Sequence, residues 1–126
     1  MKIIKKMNEK LHLFGAKVLL QCQTHAGRKS EVVDDICVAP SSIAFSQKSP
    51  YKVPKALSLE EITKIKELFV NAAIRAEKAN YDSVELHAAH GYLLCEFLSP
   101  LTNKRDDIYG GSLKNRCRLV IETEEI

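Results

Sequence analysis

Ile3, Ile4, Met7 and Leu11 recur at the spacing of one helix face, and Gly15 follows as a stop, so the chain is expected to open with a helix. The next apolar run, Lys17-Val18-Leu19-Leu20-Gln21-Cys22, is continuous rather than alternating, which predicts a strand over 16–22 buried on both faces. Pro40, Pro50, Pro54 and many Ser and Lys residues then mark a long loop over 24–57, with room for a short hairpin. A loop of that length in a compact domain is usually functional or oligomer-forming. Ser58-Leu59-Glu60-Glu61 is a capping box, and the spacing predicts a helix over 59–79. Its buried stripe would be Ile62, Ile65, Leu68, Phe69, Ala72, Ala73 and Ala76, with Asn80 as a left-handed terminator. Ser83-Val84-Glu85-Leu86-His87 alternates and predicts a strand over 83–87, with Val84 and Leu86 on one face and Glu85 and His87 on the other. A loop over 88–111 rich in Pro and Gly leads to Ser112, which can cap a last helix over 113–126. Strand, helix, strand at this spacing is a right-handed βαβ unit.

Composition changes this picture little. Nineteen basic against sixteen acidic residues give a net charge of +3, spread along the chain without the interleaved aromatics of a base-stacking groove. Neither a nucleic acid nor a membrane partner is called for. The basic start, Met1 to Lys6, lacks the apolar core of a signal peptide, and no stretch approaches the roughly 20 apolar residues of a membrane span. Cys22, Cys37, Cys95 and Cys117 form no Cys-x-x-Cys pair, so reduced thiols and a cytoplasmic location are expected.

Chemistry concentrates in His87-Ala88-Ala89-His90-Gly91-Tyr92, at the end of the second strand. The small residues between them let the backbone turn sharply and bring two imidazoles and a phenol to one pocket mouth. Neutral histidines there can donate hydrogen bonds to a substrate oxygen while the tyrosine supplies a proton. The local pattern is equally compatible with histidines that serve only as structural hydrogen-bonders. It also matches half a zinc site, although Cys95 is the only thiol nearby and no further ligand follows at suitable spacing.

The stretch from Glu85 to Arg116, which includes His87-Ala-Ala-His-Gly-Tyr-Leu-Leu-Cys-Glu-Phe-Leu-Ser-Pro-Leu-Thr-Asn and Tyr109-Gly-Gly-Ser-Leu-Lys-Asn-Arg116, resembles the signature of the Old Yellow Enzyme family. His25-Ala-Gly-Arg-Lys29 and Ala39-Pro-Ser-Ser-Ile43 resemble further segments of the same family, in the expected order. The resemblance implies an α/β fold, a partial TIM (β/α)8 barrel covering about the third and fourth βα units. A complete barrel takes roughly 250 residues, so a chain of 126 is expected to be an internal fragment of one. It also implies an FMN-dependent oxidoreductase, an ene-reductase in which NAD(P)H is the reductant and an α,β-unsaturated carbonyl compound the substrate.

By that resemblance His87 and His90 would bind the substrate oxygen, and Tyr92 would protonate the α-carbon. An ordinary phenol, with a pKa of about 10, keeps its proton at neutral pH as this role needs. The family's flavin-binding glutamine lies three residues before the His-Ala-Gly-Arg histidine. Cys22 occupies that offset here, so Gln21 is the first choice for the flavin contact and Gln23 the second. His25, Arg28 and Lys29 match the family, but a basic loop is more often a solvated surface. Glu85 points toward the barrel interior and is expected to need a basic partner from beyond Ile126. Asn103, Arg105, Asp106, Tyr109, Gly110 and Gly111 are expected to brace the loop after the strand. Two functions stay compatible with the chain: part of an ene-reductase, assembling as a homo-oligomer or with a complementing barrel fragment, and a non-catalytic barrel remnant acting as an interaction module. Because the other flavin-binding strands fall outside these residues, the purified chain is expected to hold FMN weakly or not at all. Absorbance at the flavin bands checks this, and a stoichiometric yellow protein would be the contrary result.

Overall fold

The computed structural model describes residues 1–23, 25–30, 37–48 and 51–125. Parts of the expected 24–57 loop, at 24, 31–36 and 49–50, and Ile126 of the expected last helix lie outside the described residues. The elements in chain order are α1 (Lys2–Leu13), β1 (Leu19–Cys22), a 3-10 turn (Gly27–Lys29), β2 (Val38–Ala39), β3 (Lys55–Ala56), α2 (Leu59–Lys78), β4 (Ser83–Leu86), α3 (Leu93–Leu98) and α4 (Leu113–Glu124). β1 pairs with β4 in parallel, Leu19 opposite Ser83 through Cys22 opposite Leu86, with α2 as the crossover between them. β2 and β3 also pair in parallel, so among the described residues the short hairpin expected in the long loop is not formed. An antiparallel hairpin needs adjacent strands and a tight turn. Here fifteen residues, 40–54, separate the two strands, and β3 returns beside β2 in the same direction.

Both long helices end as their sequences predict. Gly15, at φ +75°, donates to the His12 carbonyl while Ala16 donates to that of Leu11. Asn80, at φ +64°, donates to Glu77 while Tyr81 donates to Ala76. These paired bonds are Schellman caps, which satisfy carbonyls that the helix leaves open. At the start of α2, Ser58 Oγ accepts from the Glu61 amide at 3.2 Å and Glu61 Oε2 accepts from the Ser58 amide at 2.8 Å. Hydrogen bonding from Lys55, then from the Ser58 amide, holds the Glu61 carboxyl down at about 2.

The core lies between the helix-facing side of the β1–β4 pair and the helices. Leu20, Cys22 and Leu86 meet Ile62, Ile65 and Phe69 of α2, Leu93, Leu94 and Phe97 of α3, and Leu119 of α4. Leu68, expected in the buried stripe, is 51% exposed, because its position on the α2 surface turns away from both the sheet and α4. The region 88–111, expected as loop, contains α3. That helix is only six residues long and its first residue follows an uncapped Tyr92, so it lacks the usual start signal. On α1 the apolar stripe is open: Ile3 and Met7 are exposed, while Asn8 is buried and donates to the Ala79 carbonyl at 3.0 Å.

The brace after β4 is tightly built. Asn103 donates to the carbonyls of Phe97 and Tyr109, each at 2.8 Å, and Arg105 reaches the carbonyls of Pro40 and Leu57 while pairing with Asp107. A Cβ on Gly110 would stand 2.2 Å from the Arg105 carbonyl oxygen. No helix among the described residues is long and apolar enough to cross a membrane. Ser58→Ala removes the cap of the crossover helix and is expected to cost about 1 kcal/mol of stability, read from urea unfolding.

Candidate functional site

Parallel pairing places the carboxyl ends of β1 and β4 at one edge of the sheet. The ladder continues one step beyond the strands, where the His87 amide donates to the Cys22 carbonyl at 3.0 Å. The backbone then turns through His90 (φ +56°) and Gly91 (φ +72°), and the Tyr92 amide donates back to the Ala89 carbonyl. Glycine adopts this conformation freely; histidine does so at a cost. Two successive left-handed residues fold the segment over itself, and three rings come together. His87 lies with its ring centroid 5.1 Å from that of His90 and 5.2 Å from that of Tyr92. His87 is buried, Tyr92 half-buried and His90 exposed, so the cluster runs from the interior to solvent.

Gln21 sits directly opposite Glu85 on the sheet face away from the helices, and its side-chain amide donates to Glu85 Oε1 at 2.5 Å. Both residues are exposed. Glu85 thus has an amide from the neighbouring strand as a partner among the described residues, and the basic partner expected from beyond Ile126 lies outside them. A primary amide offers two donors and an acceptor, which suits the imide edge of a flavin ring. Only one Gln21 donor is engaged by Glu85, so the residue fits that group. Gln23 is exposed beyond the strand end, and no contact ties it to the three rings. An open groove of about 840 Å³ lies elsewhere, lined by residues that include Phe69, Ala73, Val84, Leu86 and Val120. None of the three rings lines it. Among the described residues no three His, Cys, Asp or Glu side chains group closely enough to hold a metal.

The basic turn after β1 is not the solvated surface its composition suggests. Lys29 Nζ donates to the His90 carbonyl at 2.6 Å and stands over the rings of Phe45 at 5.0 Å and Tyr92 at 5.5 Å. The Arg28 amide donates to Glu96 Oε1 at 2.8 Å, and its guanidinium Nε lies 3.6 Å from the same oxygen. Glu96, on α3, is 1% exposed. Burial pushes its carboxyl up to about 7, against the opposing pull of the Arg28 amide and the Arg28 and Lys29 charges. Nothing in the local pattern distinguishes Glu96 from a surface helix residue, since its burial comes from a turn 68 residues away. The match of His25 to Lys29 to the family was the one available signal.

Parallel strands joined by a helix, with polar rings at their carboxyl ends, define a segment of a (β/α)8 barrel with the open sheet face as the barrel interior. The chain belongs to the NADH:flavin oxidoreductase / NADH oxidase family, whose model matches residues 1–125. FMN is the flavin of this family, and a nicotinamide nucleotide its reductant. The chain is 51% identical over 114 residues to an NADPH dehydrogenase of Halalkalibacterium halodurans, covering 90% of this chain and 32% of that protein. It is 50% identical over 112 residues to an NADPH dehydrogenase of Clostridium acetobutylicum, covering 89% and 32%. Among solved structures, morphinone reductase superposes with a TM-score of 0.88 at 35% identity, over 97% of this chain and 37% of that one. Morphinone reductase in complex with tetrahydroNAD superposes with the same score at 36% identity, over 96% of this chain and 38% of that one. The chain spans about a third of the length of the curated relatives it matches.

The raised Glu96 carboxyl sets the sign of a pH effect. Between its ordinary value of 4.5 and about 7 the folded state holds a proton that the unfolded state has released. This group's contribution to stability therefore falls as pH rises through that window and is constant above it. Glu96→Gln is expected to remove that slope, seen by comparing urea unfolding at about pH 5 and about pH 8. An unchanged slope in the variant would count against burial as the cause.

Proposed function

We propose that this chain supplies the substrate half of an FMN-dependent ene-reductase, in which NAD(P)H reduces an α,β-unsaturated carbonyl compound. The observation that carries this is the clustering of His87, His90 and Tyr92 at the carboxyl end of β4, with rings 5.1 and 5.2 Å apart. Bound FMN, with Gln21 at its ring, would supply the hydride from NAD(P)H that the substrate's β-carbon takes up. Negative charge then gathers on the carbonyl oxygen. His87 and His90 donate hydrogen bonds to that oxygen, and donors already held in place stabilise developing charge without reorganising. Tyr92 gives its phenolic proton to the α-carbon, which completes addition of two hydrogens across the double bond.

Gln21 is the residue of this chain we assign to the flavin ring, with Gln23 as the second choice. Its support is its place at the end of β1, in register with Glu85. The sheet that carries Gln21 is the two-stranded β1–β4 pair, with both outer edges unpaired among the described residues. Further barrel strands, in the same polypeptide or in a complementing chain, would supply the remaining flavin contacts. We assign the reaction to the cytoplasm, which suits a nicotinamide reductant and cysteines that form no Cys-x-x-Cys pair.

Two substitutions test these roles in the flavin-loaded enzyme that carries this chain. His87→Ala is expected to lower the rate of substrate reduction by about 10²-fold, the scale for losing one donor to a developing oxyanion. Tyr92→Phe is expected to slow the same half-reaction while leaving flavin reduction by NAD(P)H unchanged, in stopped-flow absorbance. Wild-type rates of substrate reduction in both variants would sink the proposal.

A further inference from the structure

Among the described residues Glu96 is the only buried carboxyl group, and the proposed chemistry makes no use of it. Its surroundings are shaped around it. A Cβ on Gly27 would stand 2.5 Å from Glu96 Oε2, and Gly27 itself has φ +62°, so both the space and the backbone exclude a side chain there. Glu96 Oε1 takes the Arg28 amide, while Glu96 Oε2 and Arg28 Nε are both buried without a hydrogen-bond partner. The next residue in the turn, Lys29, holds the carbonyl of His90, whose backbone is left-handed, and faces the Tyr92 ring.

We propose that Glu96 is a positioning residue for the His87, His90 and Tyr92 cluster: its carboxyl anchors the Gly27–Lys29 turn, and the anchored turn carries Lys29 onto the His90 carbonyl and the Tyr92 ring. The inference rests on the assignment of that cluster as the substrate pocket. The contact is also pH-sensitive. Ionised, the carboxyl attracts the Arg28 guanidinium; protonated, it loses that attraction and the turn loosens. The two cations whose fields act on Glu96 are Arg28 and Lys29. Among the described residues, several ionisable groups on the other elements packed around α3 have partners of their own. Cys37 Sγ donates to the Gly27 carbonyl, and His25 Nδ1 accepts from the Gly27 amide. On α4, Arg116 donates to the carbonyls of Leu98 and Gly111, and Glu122 pairs with Lys66 and Arg118.

The test is a pH titration of the flavin-loaded, full-length protein, following the ring Cζ carbon of Tyr92 by NMR and assigning it by its loss in Tyr92→Phe. Imidazoles titrate in the same range, so the readout is the difference between the native protein and Glu96→Gln. The native Tyr92 resonance is expected to show a transition centred near 7 that is absent from Glu96→Gln. Lys29→Met is expected to abolish it too, while the Glu96 Cδ resonance still titrates. A native Tyr92 resonance without that transition overturns the proposal, as does a transition of full size in either variant. Should Glu96→Gln not fold, the native titration together with Lys29→Met decides. Because the readout is a resonance and not turnover, full activity in Tyr92→Phe would remove the proton-donor role and leave this inference standing.

Discussion

Parallel pairing of Leu19–Cys22 with Ser83–Leu86 is the constraint on which the rest of the molecule depends. Four residues on each strand are brought into register across the sixty residues of intervening chain, 23–82. Parallel strands cannot be joined by a tight turn, so the 20-residue α2 must cross over and cover one face. Covering that face creates the core of Cys22, Leu86, Ile62 and Phe69. The same register leaves Gln21 and Glu85 together on the opposite face and sets both strand ends at one edge. The amino ends are secured by Asp82, whose carboxylate accepts from the Val18 amide, Lys17 and His12 while its own amide donates to the Val18 carbonyl. Those bonds hold the Asp82 carboxyl well below the usual carboxylate range.

At the carboxyl edge, polar groups replace apolar packing as the means of holding shape. The His90–Gly91 turn lacks a side-chain cap, and its conformation is supported from outside by Lys29. Lys29 belongs to a turn that Glu96 holds from behind, and Glu96 belongs to the helix that follows the His90–Gly91 turn. The site is therefore a closed loop of contacts between two segments far apart in sequence. A buried carboxylate beside an incompletely closed ion pair is costly for stability.

Much of the fold was legible along the chain. The capping box at Ser58, the left-handed stops at Gly15 and Asn80, and the alternation of Val84, Glu85, Leu86 and His87 are local signals, and each corresponds to a local hydrogen bond or to strand parity. The bracing roles of Asn103 and Arg105 were also readable, whereas Asp107 takes the place in the brace expected of Asp106, which is exposed. Four features were not: the parallel β2–β3 pair, the short helix Leu93–Leu98, the exposure of Leu68, and the exposure of Leu19 and Gln21 on β1, a strand expected to be buried on both faces. Each depends on what lies opposite in space. A two-residue strand carries no periodicity, and a six-residue helix without a cap has almost none.

By itself the sequence determined the family, the order of the elements α1, β1, α2, β4 and α4, and the presence of two histidines and a tyrosine at a strand end. These follow from local spacing and from motifs whose chemistry is carried by residue type. Only the tertiary structure decided that Glu85 faces Gln21, that Lys29 reaches the His90 carbonyl, and that Arg28 meets a buried Glu96. Those pairings span sixty or more residues, and a charged side chain looks the same in sequence whether water or another chain segment surrounds it. Burial is a property of the neighbours that folding supplies, and here it turns an ordinary glutamate into the anchor behind the site.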